Sequence, residues 1–220
     1  RPVFSDSWMA PPVDQSPVPE GARPYDWDDT TGLARRFIPG QTGGMHTLTG
    51  LAHDRHSHVA YDPEINEESL RARSLKLAAL QKTLKAPPVF GDKSGDLLII
   101  GWGSNKGAIE EAVETVRAEG AKVSSMHLRF LQPLPPGIKE AMQRFKRVMT
   151  IESNWCDSPE DEIIDEDNRR YSALALLLRS RYLVDVDCWS EVRGQPIKPS
   201  TICRVIRDKL KHKQGKAKKS

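Results

Sequence analysis

The sequence predicts an α/β protein in which a parallel-sheet, three-layer domain follows an extended arm and a connecting helix. Three observations predict it. Strand-like and helix-like patterns alternate from Asp96 to about Leu210, with turn residues between them. No sustained period runs from Arg1 to about Thr49, where Pro11, Pro12, Pro17, Pro19 and Pro24 forbid helix and favour extended chain. A charge-polarised helical stretch, "DPEINEESLRARSLKLAALQKTL", joins the two. The expected division is an arm with a Gly/His-rich connector over residues 1–61, a helix and linker over 62–95, the sheet domain over 96–210 and a basic tail over 211–220.

Each element follows from its pattern. "RPVFSDSWMAPP" opens on a short β-like run, Val3-Phe4-Ser5. Trp8, Tyr25, Trp27 and Phe37 are large aromatics for a linker, and they suggest an arm that docks on a partner surface. Asp62 suits an N-cap and Pro63 the first helical position, with Leu70, Leu77, Leu80 and Leu84 along one stripe. "APPVFGDKSG" reads as the linker that ends this helix. Leu97-Leu98-Ile99-Ile100 is a buried strand, and Ile109, Ala112, Val113 and Val116 make a helix face that Gly120 stops. Lys122 to Phe130 alternates into a second strand, 138–146 is a short helix, and Arg147 to Glu152 is a third strand. A helix over 169–183, with Leu174, Leu177 and Leu178 inward, precedes a last short strand or turn and a closing helix from about Pro199. Strands alternating with helices imply right-handed crossovers.

Composition narrows the function classes. The chain has 220 residues, a hydrophobic fraction of 38% and a formal net charge of +3. The charge is unevenly placed: "SPEDEIIDED" is acidic and "KLKHKQGKAKKS" basic. No aromatic residue interleaves with the tail lysines, so bases find no stacking platform and nucleic-acid binding is not expected. Three cysteines, Cys156, Cys188 and Cys203, without any C-x-x-C, argue against a disulfide framework, a zinc ribbon or an iron–sulfur site built from this chain alone. No apolar run of about 18 residues and no signal-peptide pattern is present, so a cytoplasmic protein is expected, without a membrane span. The first residue is Arg, so a fragment or a piece of a larger polypeptide is expected.

The motifs leave alternatives open. "GWGSNKG" joins a strand to a helix, where phosphate loops occur. Its glycines, Gly101, Gly103 and Gly107, match neither G-x-G-x-x-G nor G-x-x-x-x-G-K-[ST], and they read as a tight structural turn. "GQTGGMHTLTGLAHDRHSHVAYDP" holds His46, His53, His56 and His58. It reads as a metal site completed by Asp54 or Asp62, as a loop bordering an active site, or as a connector whose histidines hydrogen-bond to neighbours. The connector is favoured, and no metal is assigned. The acidic run reads as a solvated loop, and no nucleophile–base–orienter set is legible.

"IPGQTGGMHTLTGLAHDRHSHVAYDP", then "LLIIGWGSNKGAIEEAVETVRAEGAKVSSMHLRFLQPLP" and "VMTIESN", resemble the C-terminal part of the alpha subunit of 2-oxoacid:ferredoxin oxidoreductases, the 2-oxoglutarate type above all. The matching residues are Pro39, Gly40, Thr49, Gly50, His53, Asp54 and His58, then Gly101, Trp102, Gly103, Ser104, Pro133, Pro135, Glu152 and Asn154. Ala52, Arg55 and Ser57 stand where the family carries Glu, Glu and Gly. The resemblance implies a transketolase C-terminal-like domain preceded by the end of a pyrimidine-binding domain. It implies oxidative decarboxylation of a 2-oxoacid to acyl-CoA, with thiamine diphosphate, Mg and a 4Fe-4S cluster in the assembled enzyme and none of them bound by this chain alone. The implied partners are a beta subunit, the preceding alpha-subunit domains and ferredoxin, in a dimer of alpha–beta units. His53, Asp54 and His58 are the candidates near the active site. A non-catalytic structural or assembly module of the same fold is the alternative. A nucleotide-binding regulatory domain using Gly101 to Gly107 is a third class.

Overall fold

The computed structural model describes residues 16–35 and 37–211. The run at 3–5, Trp8 and nearly all of the basic tail lie outside the described residues. The chain forms two compact units, Arg1–Thr83 and Leu84–Ser220.

In the second unit, β1 (Val89–Phe90), β2 (Leu97–Trp102), β3 (Val123–Leu128), β4 (Val148–Glu152) and β5 (Val186–Ser190) form one sheet in the order β1-β3-β2-β4-β5. Four strands are parallel: β2 pairs with β3 through Leu98–Ser124 and Ile100–Met126, and with β4 through Ile99–Met149, while β4 pairs with β5. The helices between them are α2 (Lys106–Ala118), α3 (Ile138–Met142), α4 (Ala173–Tyr182) and α5 (Pro199–Lys211).

Side-chain alternation divides the core into two. Leu98, Ile100, Met126, Leu128 and Val148 pack with Ile138, Leu174 and Leu178 of α3 and α4. Leu97, Ile99, Val123, Met149 and Ile151 pack with Ile109, Val113, Ile202 and Ile206 of α2 and α5. These are the three layers the pattern predicted. Each fully buried Leu or Ile contributes about 1.5–3 kcal/mol. Burial on both faces also explains why β2 reads as an unbroken apolar run. Gly120, at φ +94°, ends α2 and donates its N–H to Arg117 O at 2.9 Å.

Several boundaries differ from the sequence reading. Val89 and Phe90 lie in a strand antiparallel to β3, not in a bare linker. β3 does not alternate, because five of its six residues are buried. The helix expected over 169–183 begins only at Ala173. Arg169 and Arg170 are held instead by Asp187 and Asp157. The helix expected over 138–146 stops at Met142, and Phe145 turns into the core.

In the first unit, α1 runs over Pro63–Thr83. Asp62 caps it, accepting the Glu64 N–H at 2.8 Å and the Ile65 N–H at 3.3 Å. The buried positions of α1 are Ser69 and Ala72, not the leucine stripe, and Leu70 and Leu80 remain exposed. The reason is close approach: Gly32 lies against the α1 backbone so tightly that a Cβ there would sit 2.0 Å from the Ala72 carbonyl oxygen. Only a face of small residues admits that contact.

Candidate functional site

The histidine stretch folds into a tight hairpin. His53 and Val59 form a bridge, Asp54 N–H donates to His58 O at 3.0 Å, and Ala60 N–H donates to Ala52 O at 2.9 Å. Asp54 organises the bend. Its Oδ1 accepts the His56 and His58 N–H groups at 2.8 and 2.9 Å, and its Oδ2 lies 3.2 Å from His58 Nδ1. Burial alone would raise the Asp54 pKa, but the hydrogen bonds from His58 and His56 outweigh it and hold the carboxyl below its ordinary value. Ser57 takes φ +77° at the position where the family carries Gly. Its hydroxyl compensates locally, donating to Thr47 O at 3.0 Å and accepting the Thr47 N–H at 2.9 Å.

The structure sends the three candidate side chains in different directions. His53 is buried, stacked on Tyr25 at 4.8 Å with 3° between the rings, and its Nε2 lies 3.2 Å from Thr49 Oγ1. Asp54 is spent on the turn. The His58 side chain is 78% exposed and, among the described residues, stacks only on His56, at 6.0 Å. Among the described residues, no three His, Cys, Asp or Glu side chains converge as metal ligands would.

Among the described arm aromatics, Tyr25, Trp27 and Phe37 each meet a side chain of their own unit. Besides Tyr25 on His53, Phe37 meets His46 edge-on at 5.5 Å and Trp27 lies 4.6 Å beneath the Arg55 guanidinium. Arg55 was legible only as a departure from the family, yet it ties the unit together. It reaches Asp29 at 2.5 Å, Glu68 at 2.8 Å, Asp26 at 3.3 Å and the Trp27 carbonyl at 3.0 Å. These elements enclose a cavity of about 680 Å³, whose walls include Tyr25, Trp27 and His53 and whose basic lining is Arg35, Arg73 and Lys76. None of those three cations forms an ion pair among the described residues.

The second unit draws its motifs together at the carboxyl ends of the strands. A Cβ on Gly101 would meet Ile109 Cδ1 at 2.4 Å, so α2 can cross β2 only over a glycine. Gly103 has φ +64°. Gly107 needs correcting: its Cβ would point into open space, so the turn does not require it. Beside that turn Glu152 is fully buried. It accepts five hydrogen bonds, from Ser172 Oγ (2.5 Å), Leu174 N (2.9 Å), Ala175 N (3.2 Å), Asn154 Nδ2 (3.2 Å) and Trp102 Nε1 (3.4 Å). Every partner is a donor, so both Glu152 oxygens act as acceptors. Two donors are N–H groups in the first turn of α4, where the helix dipole favours negative charge. Sequence reasoning saw Trp102, Glu152 and Asn154 as separate motif residues; only the fold makes them one hub.

Nearby groups are paired as tightly. Asp157 is held well below the usual carboxylate range by Arg170, whose guanidinium and backbone N–H both bond it, with the Trp155 indole adding a third donor. Asp187 would be raised by burial, but Lys209, its own Cys188 N–H and Arg169 outweigh that and lower it. The buried Cys156 and Cys188 thiols interact, which raises Cys156 and lowers Cys188. Cys203 belongs to the core on the opposite face of the sheet. Three cysteines split between two faces cannot ligate one iron–sulfur cluster.

An open α/β domain whose turn and strand-end motifs meet on one buried carboxylate is the class of protein defined here. Residues 95–178 match the family described as pyruvate:ferredoxin oxidoreductase core domain II. Over 217 residues the chain is 33% identical to the 2-oxoglutarate oxidoreductase subunit KorA of Mycobacterium tuberculosis, covering 94% of this chain and 30% of that protein. Over 129 residues it is 31% identical to the alpha subunit of 2-oxoacid:ferredoxin oxidoreductase 1 of Aeropyrum pernix, covering 56% of this chain and 20% of that one. The fold superposes with a TM-score of 0.68 and 23% identity on a 2-oxoglutarate:ferredoxin oxidoreductase from Magnetococcus marinus, solved with 2-oxoglutarate, coenzyme A and succinyl-CoA bound. That match covers 89% of this chain and 32% of the other. The homologues of this chain are therefore 2-oxoacid:ferredoxin oxidoreductase alpha subunits, the 2-oxoglutarate type included. The chain spans less than a third of the length of these curated relatives.

Proposed function

We propose that this chain is a segment of the alpha subunit of a thiamine-diphosphate-dependent 2-oxoglutarate:ferredoxin oxidoreductase, a cytoplasmic enzyme that oxidatively decarboxylates a 2-oxoacid to its acyl-CoA and passes the electrons to ferredoxin. The observation that carries this reading is the span of the similarity. Identity of 33% to a 2-oxoglutarate oxidoreductase subunit runs over 94% of the chain, arm and sheet domain alike. The shared fold with an enzyme solved with 2-oxoglutarate and coenzyme A supports the substrate class. Three buried, unbridged thiols suit a reducing compartment.

The chain's own contribution is architectural. Its cysteines do not fit a cluster, so the beta subunit is the expected holder of 4Fe-4S, and thiamine diphosphate with Mg belongs between that subunit and the preceding alpha-subunit domain. The expected assembly is a dimer of alpha–beta units. The hairpin of His53, Asp54 and His58 acts as a connector, because two of these side chains are already committed to holding the bend and the Tyr25 stack. The cation-lined cavity favours a second reading of that hairpin, as a border of the substrate path, since Arg35, Arg73 and Lys76 suit a dicarboxylate.

Two measurements separate these readings. Purification through a tag on this chain should bring down a subunit carrying an iron–sulfur chromophore and thiamine diphosphate; a tagged chain that retrieves neither sinks the assignment. In the intact complex, the connector reading expects His53→Ala and His58→Ala to change kcat/KM by less than about threefold, whereas loss of a substrate contact would cost roughly tenfold or more.

A further inference from the structure

A second cavity, of about 480 Å³, lies in the sheet domain between the segment entering β1 and the first turn of α2, at the carboxyl end of β3. Pro87, Phe90 and Phe130 give it flat apolar walls, and Lys85, Lys106 and Arg129 give it a basic lining. Lys106 is already paired with Glu110 at 2.5 Å. Lys85 and Arg129 form no ion pair among the described residues. His127, the penultimate residue of β3, also lines the cavity. Its Nδ1 is buried and has no hydrogen-bond partner among the described residues. Burial, with Lys106 adding to it, lowers the His127 pKa and keeps the ring neutral at pH 7.

The cavity volume falls within the usual range for small-ligand sites, and open parallel sheets hold ligands outside the carboxyl ends of their strands. We propose that this cavity binds a small amphipathic anion: a flat apolar body against Pro87, Phe90 and Phe130, and a carboxylate or phosphate on Arg129 and Lys85, with the His127 ring beside it. No hairpin residue lines the site, and it does not depend on the proposed oxidoreductase reaction.

The six histidines make the test selective. The full chain, labelled with ¹⁵N in its histidine rings, is titrated with 1-naphthyl phosphate and with 2-naphthoate, and His127→Phe identifies the His127 resonance. The proposal expects saturable movement of the His127 ring signals, with the other rings unchanged. Saturation by the phosphate alone identifies a phosphate ligand, and saturation by the naphthoate alone a carboxylate; both support the site. Arg129→Gln, an exposed and unpaired position, should weaken binding roughly tenfold to a hundredfold at an unchanged melting temperature. Lys85→Gln should weaken it less. If neither probe moves His127 at millimolar concentration, or if Arg129→Gln binds as tightly as the parent, the proposal is overturned.

Discussion

Removing the Glu152 carboxylate should be the most damaging single change in the sheet domain. The side chain is fully buried and accepts five hydrogen bonds, two from the first turn of α4. Hydrogen bonds to a charged group are worth about 1.5–3 kcal/mol each but do not add, because the donors share one acceptor. Glu152→Ala leaves the Leu174 and Ala175 N–H groups buried without an acceptor and opens a cavity beside Trp102. We expect a loss of about 3–5 kcal/mol, since each buried N–H left without an acceptor costs about 1–3 kcal/mol. Glu152→Gln retains one carbonyl acceptor but turns an NH₂ towards donors, and should cost about 2–4 kcal/mol. For a unit of this size the alanine variant should melt roughly 10–20 °C lower. Urea unfolding followed by circular dichroism gives the free energy. Amide exchange at Leu174 and Ala175 tests the mechanism, since those two should exchange faster even where the fold survives. Glu160→Ala, on the exposed acidic loop, is the control and should stay within about 0.5 kcal/mol. A Glu152→Ala variant within 1 kcal/mol of the parent by this assay, with both amides still protected, would refute the hub.

Further outcomes follow from the same geometry. Gly101→Val drives a side chain into Ile109 and should cost about 1–3 kcal/mol by chemical denaturation, as should Gly103→Val at φ +64°. Gly107→Ala should be neutral or stabilising by up to about 1 kcal/mol, since it lies inside α2 with open space around it. Arg55→Ala should free the arm, with limited chymotrypsin cleavage at Tyr25, Trp27 or Phe37 rising roughly tenfold while the sheet domain keeps its melting temperature. Acid should act in two stages. The depressed pKa of His127 means the unfolded chain takes up its proton first, so stability falls as pH drops below about 6.5 and His127→Phe should flatten that slope. Asp187 is also depressed, so its contribution is present above about pH 4 and is lost as pH falls through the lower folded value; Asp187→Asn should reduce that second loss, which Asp157 and Asp54 share.

Elements with a local cause were legible. β2 shows as an apolar run, Asp62-Pro63 starts α1 through capping chemistry, and Gly120 ends α2 because it takes a left-handed conformation. What depends on partners distant in sequence was not. β1 follows two prolines and is only two residues long, so it exists because β3 offers an edge. Arg169 and Arg170 are compatible with a helix but are drawn into ion pairs with Asp187 and Asp157. The arm aromatics looked like docking groups because the side chains they meet, His53, Arg55 and His46, lie 28, 28 and 9 residues further on. Glu152 carried a motif but no visible role, since its donors come from β2, the residue two places on and the start of α4.

The most direct test of the assignment is electron transfer in the assembled complex. The complex purified through this chain is supplied with 2-oxoglutarate, coenzyme A and oxidised ferredoxin, and ferredoxin reduction is followed together with formation of the acyl-CoA product. The account predicts ferredoxin reduction that requires both 2-oxoglutarate and coenzyme A, in step with succinyl-CoA formation. An intact complex that reduces ferredoxin with no 2-oxoacid tested, or that forms no acyl-CoA while doing so, would contradict it.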